Sequence, residues 1–218
     1  MTALLLGSIS TLIDTSELQR QAFNDAFAEH GLEWSWSQEE YRSLLDSNGG
    51  RDRIAAFAEA RGEEVDADAV HATKSAKFRE ALTGSPLAPR AGVVETVAAA
   101  REAGAKVALV TTTSPDNVAA VLQALDGAIE FDTTVDSGQV EAGKPDPAAY
   151  ALALERLEES PEACVAVEDN PGGAASAAAA GVRCLGFPNE NTAGLDLGDV
   201  VDVVDRLDPA RTTELLGA

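Results

Sequence analysis

Lysine is scarce in this chain: Lys74, Lys77, Lys106 and Lys144 are the only four. With 37 acidic residues against 16 Lys and Arg, the formal net charge is -21. Such a surface repels nucleic-acid phosphates and anionic headgroups, so neither nucleic acid nor membrane is an expected partner. Cysteine is scarce too. Cys164 and Cys184 both lie in apolar, strand-like runs and read as small core residues, not as a disulfide or metal site. No run approaches the ~18 apolar residues of a membrane span, and no basic stretch leads into an apolar one at the start. Internal repeats are absent, and only the alanine-rich stretch 174–180 has low complexity. A soluble, cytoplasmic protein is expected.

The acid excess is scattered (Glu39, Glu40, Glu63, Glu64, Asp66, Asp68, Glu158, Glu159) and forms no tail. It reads as a solvated surface, and a salt-rich cytoplasm would explain it. That explanation predicts a melting temperature that climbs as NaCl is raised to about 1 M, where exposed like charges are screened. Equal melting with and without salt would exclude it.

What is present suits a sizeable core: 45% of the 218 residues are hydrophobic. Ala3 to Leu6 reads as a short buried strand running into a polar turn. Ser16 to Gly31 reads as an amphipathic helix, with Leu18, Ala22, Phe23, Ala26 and Phe27 at helical spacing and Gly31 as its stop. Helical patterns follow at about 37–46, 51–61 and 66–83, separated by Asn48-Gly49-Gly50 and Arg61-Gly62. Beyond Pro86 the character changes. Helices at 92–103, 115–125, 147–157, 171–180 and 208–216 alternate with the apolar runs "KVALVTTT", "CVAVEDN" and "VRCLGF" and a weak strand at 131–135. A last core strand and helix are expected within "LDLGDVVDVVDRLDPARTTELL". Unbroken apolar strands between helices predict a parallel sheet covered on both faces. The fold class is α/β, split by a helical insertion after the first strand.

Ligands of such sheets bind beyond the carboxyl ends of the strands. Four polar clusters fall there: Gly7 to Asp14, Thr111 to Thr113, Gly143 to Pro147, and Glu168 to Gly172. Each has an ordinary reading alone. Hydroxyls after strands cap helices, a turn lysine is solvated, and Asn-Pro-Gly opens a helix.

In this order and spacing the clusters resemble the haloacid dehalogenase superfamily. The likeness is strongest to its sugar-phosphate branch, which includes β-phosphoglucomutase, phosphoglycolate phosphatase and xylulose bisphosphate phosphatase. "STLIDTSELQRQAFNDAFAEHGL", "LVTTTSP", "GKPDPAAYALAL" and "VAVEDNPGGAASAAAAGV" resemble its four motifs, and "GGRDRI" and "HATKSAKFREAL" resemble its cap segments. The resemblance implies a Rossmann-like doubly wound parallel-sheet core, residues 1–14 plus 84–218, with an all-helical cap inserted at 15–83. In the family, an aspartate attacks phosphorus and a second aspartate two residues on moves the proton. Mg²⁺ screens the charges, and a Ser/Thr, a Lys and backbone amides hold the phosphoryl oxygens.

Carried over residue by residue, Thr111 and Lys144 fall on the phosphate-binding positions, with Thr112 beside them. Glu168 and Asp169 fall on the acidic metal pair. Gly7 falls on the nucleophile, Ile9 on the acid/base, and Ser10 replaces the usual glycine, while Thr11 and Asp14 match and hold the register. The resemblance therefore implies a phosphatase homologue with no intact catalytic residue, a pseudo-phosphatase still able to bind a phosphorylated metabolite. Its magnesium site is expected to be weakened, although the Ile9 carbonyl remains a possible ligand, and Lys144 is expected to pair with one of the two acids. Arg51, Arg53 and Lys74 are candidates to read a substrate, against the ordinary reading of a solvated helix face. His30 and His71 read as helix-surface residues. The alternative reading is a weakly active Mg²⁺-dependent phosphohydrolase that uses metal-bound water, or Ser8 or Ser10. A bystander fold that has lost its function, and a protein partner or self-association, stay open.

Overall fold

The computed structural model describes residues 2–45, 49–84 and 87–217. Asp46 at the end of the expected 37–46 helix, Asn48 of the expected breaker, and Pro86 lie outside the described residues. The chain opens with β1 (Ala3–Gly7) and a four-residue turn of helix, α1 (Ile9–Leu12). Four helices follow: α2 (Ser16–Glu29), α3 (Gln38–Ser43), α4 (Gly50–Arg61) and α5 (Ala67–Gly84). The alternating part then runs α6 (Val93–Glu102), β2 (Lys106–Val110), α7 (Pro115–Ala124), β3 (Thr133–Val135) and α8 (Ala148–Leu157). It continues with β4 (Cys164–Glu168), α9 (Pro171–Ala179), β5 (Arg183–Gly186), β6 (Asp202–Val203) and α10 (Pro209–Leu216).

The six strands form one sheet in the order β3-β2-β1-β4-β5-β6, and every pairing is parallel. This is the doubly wound architecture expected from the unbroken apolar runs. The runs are unbroken because both faces are buried. Leu4, Leu6, Val107, Leu109, Val165 and Val167 enter one core. Leu5, Ala108, Val110, Ala166 and both cysteines enter the other. The cysteines are free and buried, as expected of core residues. Each fully buried aliphatic side chain contributes about 1.5–3 kcal/mol, so the central strands anchor the fold. A third core lies within the helical segment, where Phe23, Phe27, Trp34, Trp36 and Tyr41 pack together. Their ring centroids lie 4.7–6.1 Å apart.

Three local features differ from the sequence reading. The opening loop contains α1, started by Ser8 at φ 71° with its hydroxyl accepting the Ser10 N–H at 3.0 Å. The last strand shrinks to the two residues of β6. The helix expected over 37–46 is also shorter, closing after Ser43.

Candidate functional site

Strand β1 lies between β2 and β4, and the chain leaves β1 toward one side of the sheet and returns on the other. The carboxyl ends of these three strands therefore meet at a topological switch point, the usual ligand crevice of such sheets. Gly7 is level with Val110 in the register, which puts Thr111 just beyond it. Glu168 ends β4, and Asp169 follows into the cap of α9.

The centre of the crevice is a buried ion pair. Lys144 Nζ donates to Glu168 Oε1 at 2.5 Å and to the Val110 carbonyl at 2.8 Å. The expected pairing of Lys144 with an acid is present, and the acid is Glu168. Tyr150, on α8, donates its hydroxyl to the same Oε1 at 2.8 Å, and the Lys144 ammonium sits 4.8 Å from its ring centroid. Burial pushes the Glu168 carboxyl up, and Lys144 opposes that rise. Burial, then the Glu168 charge, push the Tyr150 hydroxyl well above its ordinary value, so it remains a donor.

Glycine makes this arrangement possible. A Cβ at Gly7 would lie 2.2 Å from Glu168 Oε1 and 2.4 Å from the Tyr150 hydroxyl. A Cβ at Gly173 would lie 2.1 Å from Glu168 Oε2. The Glu168 carboxylate fills the space where a side chain at position 7 would project.

Asp169 is held differently. Asn189 Nδ2 donates to its Oδ2 at 2.6 Å and Asn170 Nδ2 to its Oδ1 at 2.9 Å. Asn189 belongs to a loop after β5 whose Asn191 donates to Glu17 on α2 at 2.9 Å. That loop, Tyr150 and Arg90 escaped sequence reasoning. Arg90 bonds the carbonyls of Ser10, Phe187 and Pro188 and stacks 3.4 Å from the Phe187 ring centroid. A lone tyrosine on the apolar face of α8 was the one available signal, since a buried hydroxyl requires a partner.

The remaining expected residues scatter. Thr111 is buried, and its hydroxyl accepts the Thr113 N–H at 3.2 Å, leaving its own proton to donate. Thr112 is half-buried beside it. Ile9 is buried in the apolar cluster that includes Leu6, Ile13, Ala22 and Phe78, and its carbonyl accepts the Ile13 N–H at 3.2 Å. Ser8 and Ser10 are engaged as well: Ser8 caps α1, and the Ser10 hydroxyl pairs with Thr15 at 2.7 Å.

Arg51 fits the solvated-face reading, exposed and ion-paired with Asp68 at 2.8 Å and Asp52 at 2.9 Å. Arg53 and Lys74 do not, because both are buried. His30 is exposed and bonds Thr73 at 2.8 Å. His71 departs from the helix-surface expectation: it is half-buried, its Nε2 would lie 2.8 Å from a Cβ at Gly50, and burial lowers its pKa to about 4.

Lys74 donates to Gln19 Oε1 at 2.6 Å and lies over Phe23 and Phe78 at 4.7 and 5.2 Å. Burial lowers its pKa from 10.5 to about 7. Between those values the unfolded chain binds more protons, so stability falls as pH drops through that window. Lys74→Met removes this cost. Its melting temperature is expected to exceed wild type by roughly 2 to 8 °C at pH 7, with the gap closing toward pH 10, as thermal melts at the two pH values would show.

The haloacid dehalogenase-like hydrolase family model matches residues 10–181. The chain belongs to this family. The matched segment begins at Ser10, downstream of both Gly7 and Ile9. Protein CbbY of Cereibacter sphaeroides is 39% identical over 206 residues, 89% of each chain. The crystal structure of CbbY from Rhodobacter sphaeroides in complex with phosphate has a TM-score of 0.84 at 34% identity, covering 94% of this chain and 95% of that one. A mutant of that protein, crystallised with xylulose-(1,5)bisphosphate, matches equally well. The likeness to the sugar-phosphate branch of the haloacid dehalogenase-like hydrolases therefore stands.

Phosphatases of this family generally depend on Mg²⁺. The residues present do not fit that ion as arranged. Mg²⁺ prefers near-octahedral oxygen ligands, carboxylates among them. Here Glu168 is committed to Lys144 and Tyr150, and both Asp169 oxygens accept amide N–H groups. Position 7 supplies no oxygen-bearing side chain. Among the described residues, no group of three or more His, Cys, Asp or Glu is placed to hold a metal.

Proposed function

We propose that this chain is a catalytically disabled sugar-phosphate phosphatase homologue, with residues 15–83 as its cap, that binds a phosphorylated metabolite without cleaving it. The observation that carries the reading is the Glu168 carboxylate standing in the space over Gly7, held by Lys144 and Tyr150. Glycine has no group to attack phosphorus, and isoleucine has no proton to give a leaving oxygen. Loss of a general acid/base alone typically costs about 10²- to 10⁴-fold in rate, and loss of the nucleophile closes the covalent route as well. Rerouted hydrolysis through metal-bound water needs Glu168 and Asp169 free to share an ion, and both are engaged.

The binding side of the proposal rests on Thr111, Thr112 and Lys144 at the β2 and β4 ends, where an ammonium and a hydroxyl can hold phosphoryl oxygens. Arg53 and Lys74 in the cap are candidates for the rest of the ligand. The test is hydrolysis of a panel of sugar phosphates and an aryl phosphate, with and without Mg²⁺. Wild type is expected to match the buffer rate. Mg²⁺-dependent turnover by homogeneous protein that disappears in Asp169→Ala would overturn the reading.

A further inference from the structure

In the proposed site, the carboxylate of Glu168 and an incoming phosphoryl group are anions competing for one cation. We propose that Glu168 is a built-in anion occupying the phosphoryl subsite of Lys144, so that a phosphorylated ligand binds by displacing this carboxylate and needs no divalent cation. This rests on the pseudo-phosphatase reading above and adds how its site is gated.

The slot for the carboxylate is specific. Gly7 walls one side and Gly173 the other, and a Cβ at either would overlap a Glu168 oxygen, at 2.2 and 2.1 Å. The carboxylate in that slot is fully buried and well satisfied. It accepts from Lys144, from Tyr150, and from the Asp169 N–H at 3.3 Å. Lys144 is itself held in place by the Val110 carbonyl, next to the Thr111 hydroxyl in sequence, so the cation stays at the strand ends when its anion changes. Asp169 is tied to Asn170 and Asn189. Glu168 ends in a flexible side chain and can turn out of the slot, whereas the Tyr150 ring is packed in the core. The exchange replaces one charge-assisted contact of Lys144 with another, and ligand affinity is reduced by the hold on Glu168.

The test is calorimetric titration of inorganic phosphate into wild type, Glu168→Gln and Tyr150→Phe, each in EDTA and again with MgCl₂ in its place. Glu168→Gln keeps the shape and removes the competing charge. It is expected to bind phosphate about tenfold or more tighter than wild type, because a hydrogen bond to a charged group outweighs a neutral one by about that factor. Tyr150→Phe loosens the hold on Glu168 without changing the charge, and a smaller tightening is expected. If Glu168→Gln does not fold, Tyr150→Phe decides. The proposal fails if the folded variants bind phosphate no tighter than wild type. It fails equally if none of the proteins binds it, or if binding appears only with Mg²⁺ and is lost in Glu168→Gln. Turnover by wild type in the hydrolysis assay would instead defeat the proposed function, while the titration in EDTA still reports on displacement.

Discussion

Gly7→Asp/Ile9→Asp combined with Tyr150→Phe is expected to turn the protein into a Mg²⁺-dependent phosphatase. Turnover should exceed wild type by about 10²-fold or more, the size of effect that one general acid/base supplies. The third substitution follows from the geometry. A Cβ at position 7 meets Glu168 Oε1 at 2.2 Å and the Tyr150 hydroxyl at 2.4 Å. Glu168 can swing aside, and an aspartate at position 7 would take its place beside Lys144. Tyr150 sits on a packed helix, so removing its hydroxyl is the simpler relief. The double variant without Tyr150→Phe is therefore expected to be slower than the triple. Ile9→Asp puts a carboxylate into an apolar cluster, and a loss of stability should accompany the gain of chemistry. Steady-state assays on the panel, with melting curves on each variant, measure both. A folded triple variant no faster than wild type would mean that carboxylates at positions 7 and 9 are not enough for turnover.

The second large effect concerns stability. Lys144→Met removes the counter-ion of a fully buried carboxylate. Breaking a buried pair from one side typically costs about 3–5 kcal/mol, because the surviving charge is left uncompensated. In a chain of this length that is roughly a 6 to 20 °C fall in melting temperature. The pH dependence follows from the remaining partner. Burial raises the Glu168 pKa, and Lys144 is the main influence lowering it, so the variant's Glu168 sits higher still. A group with a raised folded pKa favours the folded state when protonated and costs stability as pH rises through that value. The deficit relative to wild type should therefore be largest at pH 8 and shrink as pH falls toward the ordinary carboxylate value of 4.5. Urea unfolding at pH 8 and pH 5 checks this. A deficit that is the same at both pH values would mean that the loss comes from packing, not from the stranded charge. Glu168→Gln/Lys144→Met, which removes both charges, should recover much of the loss.

The sheet was legible because its signal is local. Strands buried on both faces are apolar along their length, as in "VALV" and "CVAV", and the helices between them carry their own period. The positions of Thr111, Lys144, Glu168 and Asp169 at strand ends were legible for the same reason, since a polar cluster after an apolar run marks the end of a strand. Elements whose signal is weak were read less well. α1 is a single turn inside a polar loop, and β6 pairs through only two residues. Arg51 and Arg53 lie two apart in one helix, and only packing exposes the first and buries the second.

The sequence by itself determined the α/β class, the inserted helices, the family resemblance, and the absence of carboxylates at positions 7 and 9. Each of these depends on residue type and spacing along the chain. Only the tertiary structure decided what stands in the space over Gly7. Gly7, Lys144, Tyr150 and Glu168 come from four elements or loops brought together by the parallel register, and no spacing predicts which acid the lysine takes. The reason is steric: glycine at position 7 leaves the space a Cβ would take, and the Glu168 carboxylate stands there, held by the Lys144 ammonium.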